Sequence, residues 1–167
     1  MKASSDDFGG NPLVVKGWIW KSAVAGLCGT FVHFCFMYLK SRAGLLPAFQ
    51  PYQSLQHSLS QWVGADVPTF VPWLLSLVNG MAILGFLFAR INRLLPGRNG
   101  ISKGAIFGLI GWVLMGVIFF PLIGLGPFAF QAGLGIAPAL LSLGMLLTYS
   151  IVLATVYAAL DRWSEEA

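Results

Sequence analysis

Long apolar runs, separated by short polar or basic clusters, are the dominant pattern along this chain. Residues 104–160 contain no Asp, Glu, Lys, Arg or His. Because a bilayer core of about 30 Å is crossed by about 20 apolar residues in an α-helix, such runs predict transmembrane helices. Four runs are long enough, at residues 18–39, 70–89, 104–123 and 138–160. No run alternates apolar and polar residues at period 2, so the sequence predicts an all-α polytopic membrane protein with four transmembrane helices.

The four predicted spans form two tandem helical hairpins. We expect hairpin 1 at about 16–93 and hairpin 2 at about 100–163, within a single transmembrane domain over residues 14–167. Residues 1–13 are rich in Ser, Asp, Gly and Pro, which predicts a flexible cytoplasmic tail.

An internal duplication is a further prediction, because three segments recur in the same order. Residues 21–29 resemble 103–111, residues 48–50 match 129–131, and 72–77 resemble 138–143. Chance similarity among Leu, Gly and Ala is the alternative explanation. A duplication would relate the hairpins by a pseudo-two-fold axis along the membrane normal.

The basic residues predict the orientation of the chain. Charged residues make up 10% of the sequence, against roughly a quarter in a soluble domain. Cytoplasmic segments of membrane proteins retain Lys and Arg. The side that holds both termini carries eight of the ten: Lys2, Lys16, Lys21, Arg90, Arg93, Arg98, Lys103 and Arg162. We therefore expect a bacterial inner (plasma) membrane protein with both termini cytoplasmic, whose positive charge attracts anionic lipid and not nucleic acid.

The first loop contains a predicted amphipathic helix at about 52–63. Leu55, Leu59 and Trp62 fall on one face, and Pro51 suits the first helical turn. Lying flat at the outer interface is one use of such a helix. Contact with a partner protein through these three residues is the other.

Small residues spaced four apart predict close contacts between the helices, because van der Waals packing drives helix association in lipid. The glycines predicted to mediate helix packing are Gly26, Gly29, Gly80, Gly104, Gly108 and Gly144.

His33 is the one residue of the Asp, Glu, Lys, Arg and His set within a predicted span, which makes it a functional candidate. It lies one turn from Met37, and neutral imidazole can ligate haem iron. His33 and Met37 are therefore candidate cofactor-binding residues for a haem or pigment. The alternative is a neutral His33 hydrogen-bonded to a Ser, a Thr or Asn79 within the bundle.

Polar side chains in the second and fourth spans could line a shared cavity, although hydrogen bonding between helices is the alternative use. They are Ser76, Asn79, Thr148, Tyr149 and Ser150. The predicted spans contain no carboxylate, which argues against proton-coupled transport. No catalytic, phosphate-binding or metal-ligand motif is present, so we do not expect an enzyme.

Part of the chain resembles a family of uncharacterised bacterial four-helix integral membrane proteins, a domain of unknown function. The resemblance covers roughly residues 70–160. It rests on Leu-Leu-Pro-Gly at 94–97, Lys-Gly-Ala-Ile-Phe-Gly-Leu-Ile-Gly-Trp-Val-Leu-Met at 103–115 and Pro-Leu-Ile-Gly-Leu-Gly-Pro-Phe at 121–128. It implies a four-helix inner-membrane protein with no assigned activity.

The sequence thus favours a non-catalytic accessory or assembly subunit of a larger inner-membrane complex. Its expected partners are the lipid bilayer and other membrane subunits or further copies of itself. The alternatives are haem or pigment binding through His33, and a homo-oligomeric channel or transporter for small solutes.

Overall fold

A computed structural model describes the backbone of residues 12–166 and the side chains of residues 17–164. Within this part of the chain every regular element is helical. The five helices are α1 (Pro12–Arg42), α2 (Pro51–Val63), α3 (Phe70–Ile91), α4 (Gly100–Leu122) and α5 (Ala137–Glu166). A short 3-10 segment, Pro127–Ala132, lies between α4 and α5. The predicted all-α fold is therefore confirmed.

Four of these helices have the length and composition needed to cross a membrane. The spans are Gly17–Arg42, Phe70–Ile91, Gly100–Leu122 and Ala137–Ser164. Each contains or closely overlaps one of the four predicted runs, and the chain is a multi-pass membrane protein. The predicted tail lies outside the described residues, except for Pro12 and Leu13, which belong to α1.

The two terminal helices, α1 and α5, pack against each other. α4 also packs on α5, and α3 packs on α1. Lys21 Nζ near the start of α1 donates to Asp161 Oδ1 near the end of α5, at 2.8 Å. Both terminal helices therefore have their outer ends on one side, which we call the terminus end. The opposite side, with residues 43–69 and 123–136, is the loop end.

Glycines allow the helices to approach closely in both hairpins. A Cβ atom on Gly26 of α1 would lie 2.7 Å from the carbonyl oxygen of Gly80 in α3. On Gly104 of α4 it would lie 2.6 Å from the carbonyl oxygen of Ser150 in α5. Gly144, by contrast, has no such neighbour within 4 Å. The bundle thus depends on particular glycines and not on every small residue in the pattern.

Gly108 of α4 also approaches α5 closely. A Cβ atom there would lie 3.1 Å from Ser150 Cβ and 3.2 Å from the carbonyl oxygen of Leu146. The internal duplication stays a prediction.

Two buried clusters fill the ends of the bundle. The terminus-end cluster includes Phe88, whose ring centroid lies 5.3 Å from that of Phe107. In the loop-end cluster the rings of Phe49 and Phe120 lie 5.9 Å apart in an edge-to-face arrangement. Phe49 belongs to the first loop and Phe120 to the second hairpin. The first loop is therefore anchored in the hairpin to which it does not belong.

Candidate functional site

The first loop is a fixed structural unit, because its polar groups bond to one another. α2 ends at Gly64, whose positive φ of 71° gives the left-handed cap that glycine adopts readily. Beyond it, Gln56 Nε2 donates to the carbonyl oxygen of Val67 at 2.7 Å. The backbone N–H of Val67 donates in turn to Ser60 Oγ at 3.0 Å. The segment after α2 is thus folded back on the helix.

Lys40 fastens this loop to the end of α1. It is buried, with only 6% of its surface exposed, and its Nζ donates to the carbonyl oxygen of Phe49. The same ammonium group lies 5.5 Å from the centroid of the Phe49 ring, within reach of a cation–π interaction. Because Phe49 is itself in the loop-end cluster, the loop is held at both polar and apolar contacts.

A cavity of about 510 Å³ opens between this loop and the ends of α1 and α3. We call it the loop-end cavity. Its wall combines aromatic rings with side-chain amides and Lys40. The residues that define its character are Phe34, Met37, Tyr52, Gln53, Gln56 and Trp73. Such a wall can stack on a flat or apolar group and hydrogen-bond to a polar one.

A hydrogen-bonded relay passes through the wall of the cavity at Tyr52 and joins three helices. His33 Nε2 of α1 lies 3.1 Å from the hydroxyl of Tyr52 in α2, which lies 3.0 Å from Ser76 Oγ in α3. The Tyr52 ring also packs on Trp73, with centroids 4.3 Å apart. Burial raises the pKa of Tyr52, and its hydrogen bond to Ser76 partly opposes that shift. Tyr52 is therefore a neutral phenol at neutral pH and can donate one hydrogen bond and accept another.

The two predicted cofactor-binding residues have different surroundings. Met37 lines the loop-end cavity, whereas the Nε2 atom of His33 is engaged by Tyr52. The alternative that His33 is hydrogen-bonded within the protein matches the structure, although its partner is Tyr52 and not the expected Ser, Thr or Asn79. Among the described residues, no three His, Cys, Asp or Glu side chains are grouped to hold a metal ion.

Sequence reasoning missed Tyr52 as a site residue. Its position on a predicted amphipathic helix beside Pro51 was a usable signal, since a Tyr there has an apolar ring and a polar hydroxyl to satisfy. Its pairing with His33 depends on how α2 lies across the bundle. Periodicity within one helix does not contain that information.

The side chains predicted to line a polar cavity have separate surroundings. The Tyr149 hydroxyl donates to the carbonyl oxygen of Gly80 at 2.6 Å and so links α5 to α3. Thr148 donates to a carbonyl oxygen one turn earlier in its own helix. Asn79 is exposed on the surface of α3, and the buried Ser150 Oγ has no hydrogen-bond partner among the described residues. Ser76, the fifth of the set, belongs to the relay through Tyr52.

The three residues predicted to contact a partner differ in their exposure. Leu55 packs against the loop-end cluster, and Leu59 is half-buried. Trp62 is 55% exposed, and its neighbour Val63 is 68% exposed. The apolar face of α2 therefore runs from this chain's own core at one end to an open surface at the other.

Nearly the whole chain matches one protein family. The profile of a family of unknown function, DUF6789, matches residues 17–166. The chain belongs to this family. The DUF6789 match includes both hairpins, α2 and the loop-end cavity, so it extends beyond the resemblance over residues 70–160 and confirms membership of an uncharacterised family. No curated protein and no solved structure matches the chain.

Proposed function

We propose that this DUF6789 protein is a non-catalytic accessory or assembly subunit of a larger inner-membrane complex. The observation that carries the proposal is a rigid first loop with an exposed aromatic edge. Residues 43–69, which we call the loop-end platform, hold Trp62 and Val63 outside the four membrane-compatible helices. We infer that this edge contacts an extramembrane segment of a partner subunit.

The rigidity of the platform favours binding. Lys40, Gln56 and Val67 fix its backbone through hydrogen bonds, as described above. A surface that is ordered before association loses less conformational entropy when a partner docks. Exposed tryptophans are also frequent anchors of protein interfaces, because they bury a large area with few rotatable bonds.

Polar groups elsewhere in the bundle support a structural role. Thr30 Oγ1 donates to the carbonyl oxygen of Gly26 at 2.8 Å, and the Tyr149 hydroxyl donates to that of Gly80. Trp112 Nε1 donates to the carbonyl oxygen of Ala139 at 3.0 Å. These groups satisfy backbone acceptors within and between helices, which is a use of polar residues in membrane bundles that requires no substrate.

The test is native purification of a tagged copy from its own host membranes in mild detergent. We expect a stoichiometric membrane partner with the wild-type chain and its loss with Trp62→Ser. Trp163→Ser is the matched control, since Trp163 is 73% exposed but lies at the terminus end. It should retain the partner.

A wild-type chain that purifies alone, or only with copies of itself, would contradict the accessory role. Equal loss of the partner in both tryptophan variants would show that the platform edge is not the contact.

Haem or pigment binding through His33 and Met37 is a second candidate. The observation in its favour is that Met37 lines the loop-end cavity while His33 contacts the wall residue Tyr52. A ligand at His33 Nε2 would have to replace the Tyr52 hydroxyl. We therefore expect a visible absorption band that His33→Ala abolishes and Tyr52→Phe preserves. Natively purified protein without such a band would reject this candidate.

A homo-oligomeric channel or transporter is the third candidate, and the exposed amide of Asn79 on α3 favours it. A polar side chain on the outer surface of a span gains hydrogen bonds when a second span covers it. Solute flux in liposomes that disappears with Asn79→Leu is the expected result. Tight liposomes containing the wild-type protein would reject it.

A further inference from the structure

A second cavity, at the terminus end, has an excess of positive charge. It encloses about 600 Å³ between the start of α1, the end of α3 and the end of α5. We call it the terminus-end cavity. The side chains that give it its chemistry are Trp18, Trp20, Lys21, Arg90, Arg93 and Asp161. Three cations thus share its wall with one carboxylate.

The carboxylate, that of Asp161, forms a salt bridge with Lys21. Lys21 is 7% exposed, and its Nζ donates to Asp161 Oδ1 at 2.8 Å and to Ser164 Oγ. Arg90 and Arg93 are exposed, and no described carboxylate forms a salt bridge with either. Among the described residues, the guanidinium groups of Arg90 and Arg93 are therefore the charges of the cavity without a salt-bridge partner.

We propose that the terminus-end cavity binds the phosphate group of an anionic phospholipid. A guanidinium group offers paired N–H donors that match the oxygens of a phosphate. Arg90 lies in the last turn of α3, and Arg93 is the second residue after that helix. Both can reach a phosphate held over the end of α3. Basic pockets between helices at the membrane boundary bind anionic headgroups by this chemistry.

The surface next to the cavity favours a lipid over a free phosphate ion. Leu87 and Ile83 lie three and seven residues before Arg90, and both are exposed, at 44% and 59%. The spacing of three places Leu87 on the same face of the helix as Arg90, while Ile83 lies in the preceding π-helical turn. An acyl chain attached to a phosphate at Arg90 can therefore run along α3. Trp18 and Trp20 flank the cavity, as is typical of residues at headgroup level.

Occupation of this site would join three helices at their ends. The cavity wall takes Lys21 from α1, Arg90 from α3 and Asp161 from α5. A ligand that binds only the folded arrangement stabilises it by mass action. The bound lipid thus stabilises the packing of the three helices at the terminus end.

The test measures lipid retention by the full-length protein in mild detergent, using native mass spectrometry. Phosphatidylglycerol is the anionic probe and phosphatidylcholine the zwitterionic one. We expect Arg90→Gln with Arg93→Gln to weaken phosphatidylglycerol binding roughly tenfold or more, because each basic group at a membrane surface contributes substantially to attraction of anionic lipid. The control, Arg98→Gln with Arg162→Gln, also removes two cations from the terminus end but lies outside the cavity wall. It should change binding less than twofold.

Three outcomes would overturn the proposal. Equal weakening in the control pair would show a diffuse attraction and no site. Equal affinity for phosphatidylglycerol and phosphatidylcholine would show that the net charge of the lipid does not determine binding. Inorganic phosphate that stabilises the lipid-free protein and displaces phosphatidylglycerol at millimolar concentration would identify a soluble phosphate as the ligand.

A further variant covers the case in which the double substitution unfolds the protein. Arg90→Lys keeps the charge but removes the paired donors. It should weaken phosphatidylglycerol binding severalfold while the melting temperature without lipid stays at the wild-type value. Unchanged phosphatidylglycerol binding by this variant would overturn the assignment of Arg90.

Discussion

The two hairpins pack their helices alike but close their loop ends differently. In hairpin 1 the contact of α1 with α3 is at Gly26, and in hairpin 2 that of α4 with α5 is at Gly104. Hairpin 1 is closed by a polar helix, α2, with a cavity and a hydrogen-bonded relay. Hairpin 2 is closed by an apolar segment that folds onto the bundle. The helix contacts therefore provide the common framework, while the loops distinguish the two halves.

The closing segment of hairpin 2 has an irregular backbone that packs against the bundle. Phe128 and Ala129 both have positive φ values, 50° and 60°. Ala129 is fully buried, and the Phe128 ring lies 4.9 Å from that of Trp112. The backbone N–H of Gln131 donates to the carbonyl oxygen of Leu125 at 3.0 Å. This hydrogen bond and the ring contact hold the irregular backbone in place.

The largest predicted effect tests the shared framework. Gly26→Ala and Gly104→Ala should each destabilise the protein by about 2 kcal/mol, because the new methyl group meets backbone atoms that cannot move freely. The measurement is thermal or denaturant unfolding in detergent. Gly144→Ala is the control, since the space around Gly144 is open, and it should leave stability unchanged or slightly raised. A cost in only one hairpin would show that the two contacts are not equivalent.

A smaller effect on stability is expected at the loop end of hairpin 1. Tyr52→Phe removes the hydroxyl that joins His33 to Ser76 and should cost about 1 kcal/mol. Tyr38→Phe is the control, because Tyr38 also lines the loop-end cavity but is 63% exposed. Unfolding measured on both variants checks the prediction. An equal loss of unfolding free energy for Tyr38→Phe would show that the relay contributes no more to stability than an exposed tyrosine hydroxyl.

Trp112→Phe is the corresponding test in hairpin 2. It keeps an aromatic ring near Phe128 but removes the hydrogen bond to the carbonyl oxygen of Ala139. We expect a loss of unfolding free energy of up to about 1 kcal/mol, because Ser142 Oγ continues to donate to that carbonyl oxygen. A larger loss than for Tyr52→Phe would show that hairpin 2 depends more on its hydrogen bond than hairpin 1 does.

The smallest effect is a pH dependence that arises from Tyr52 in hairpin 1. Burial raises the pKa of Tyr52 in the folded protein above its ordinary value of 10.0. Its contribution to stability is therefore complete below about pH 10 and is lost as the pH rises through the raised folded pKa. The unfolding free energy of the wild type should fall more steeply above pH 10 than that of Tyr52→Phe. Parallel curves would contradict this placement of Tyr52.

Run length and composition were sufficient to predict the spans, because the bilayer imposes one length on every crossing helix. The spacing of Leu55 and Leu59 after Pro51 also predicted α2 almost to the residue. The end of α5 was not predictable in this way. The helix continues to Glu166, past the predicted end at residue 160, because hydropathy marks the limit of the apolar core and not of the hydrogen-bonded helix.

The candidate site was less predictable, since it depends on relations between helices. His33 could be singled out as an ionisable group in a span, but its partner Tyr52 lies on another element. Gly144 fits the small-residue pattern, yet nothing packs on it. Turns with π-helical geometry also begin at Asn79 and Met115, and each changes which side chains face a neighbour. Such shifts have no signature in a hydropathy pattern.

The contact between α1 and α5 can form only after most of the described chain has been made. Lys21 and Asp161 are 140 residues apart, so α1 can pack on α3 before α5 exists. Until then, the face of α1 around Gly29 has no ring of Tyr149 to pack on. A chain that stops before α5 therefore leaves this face of α1 uncovered.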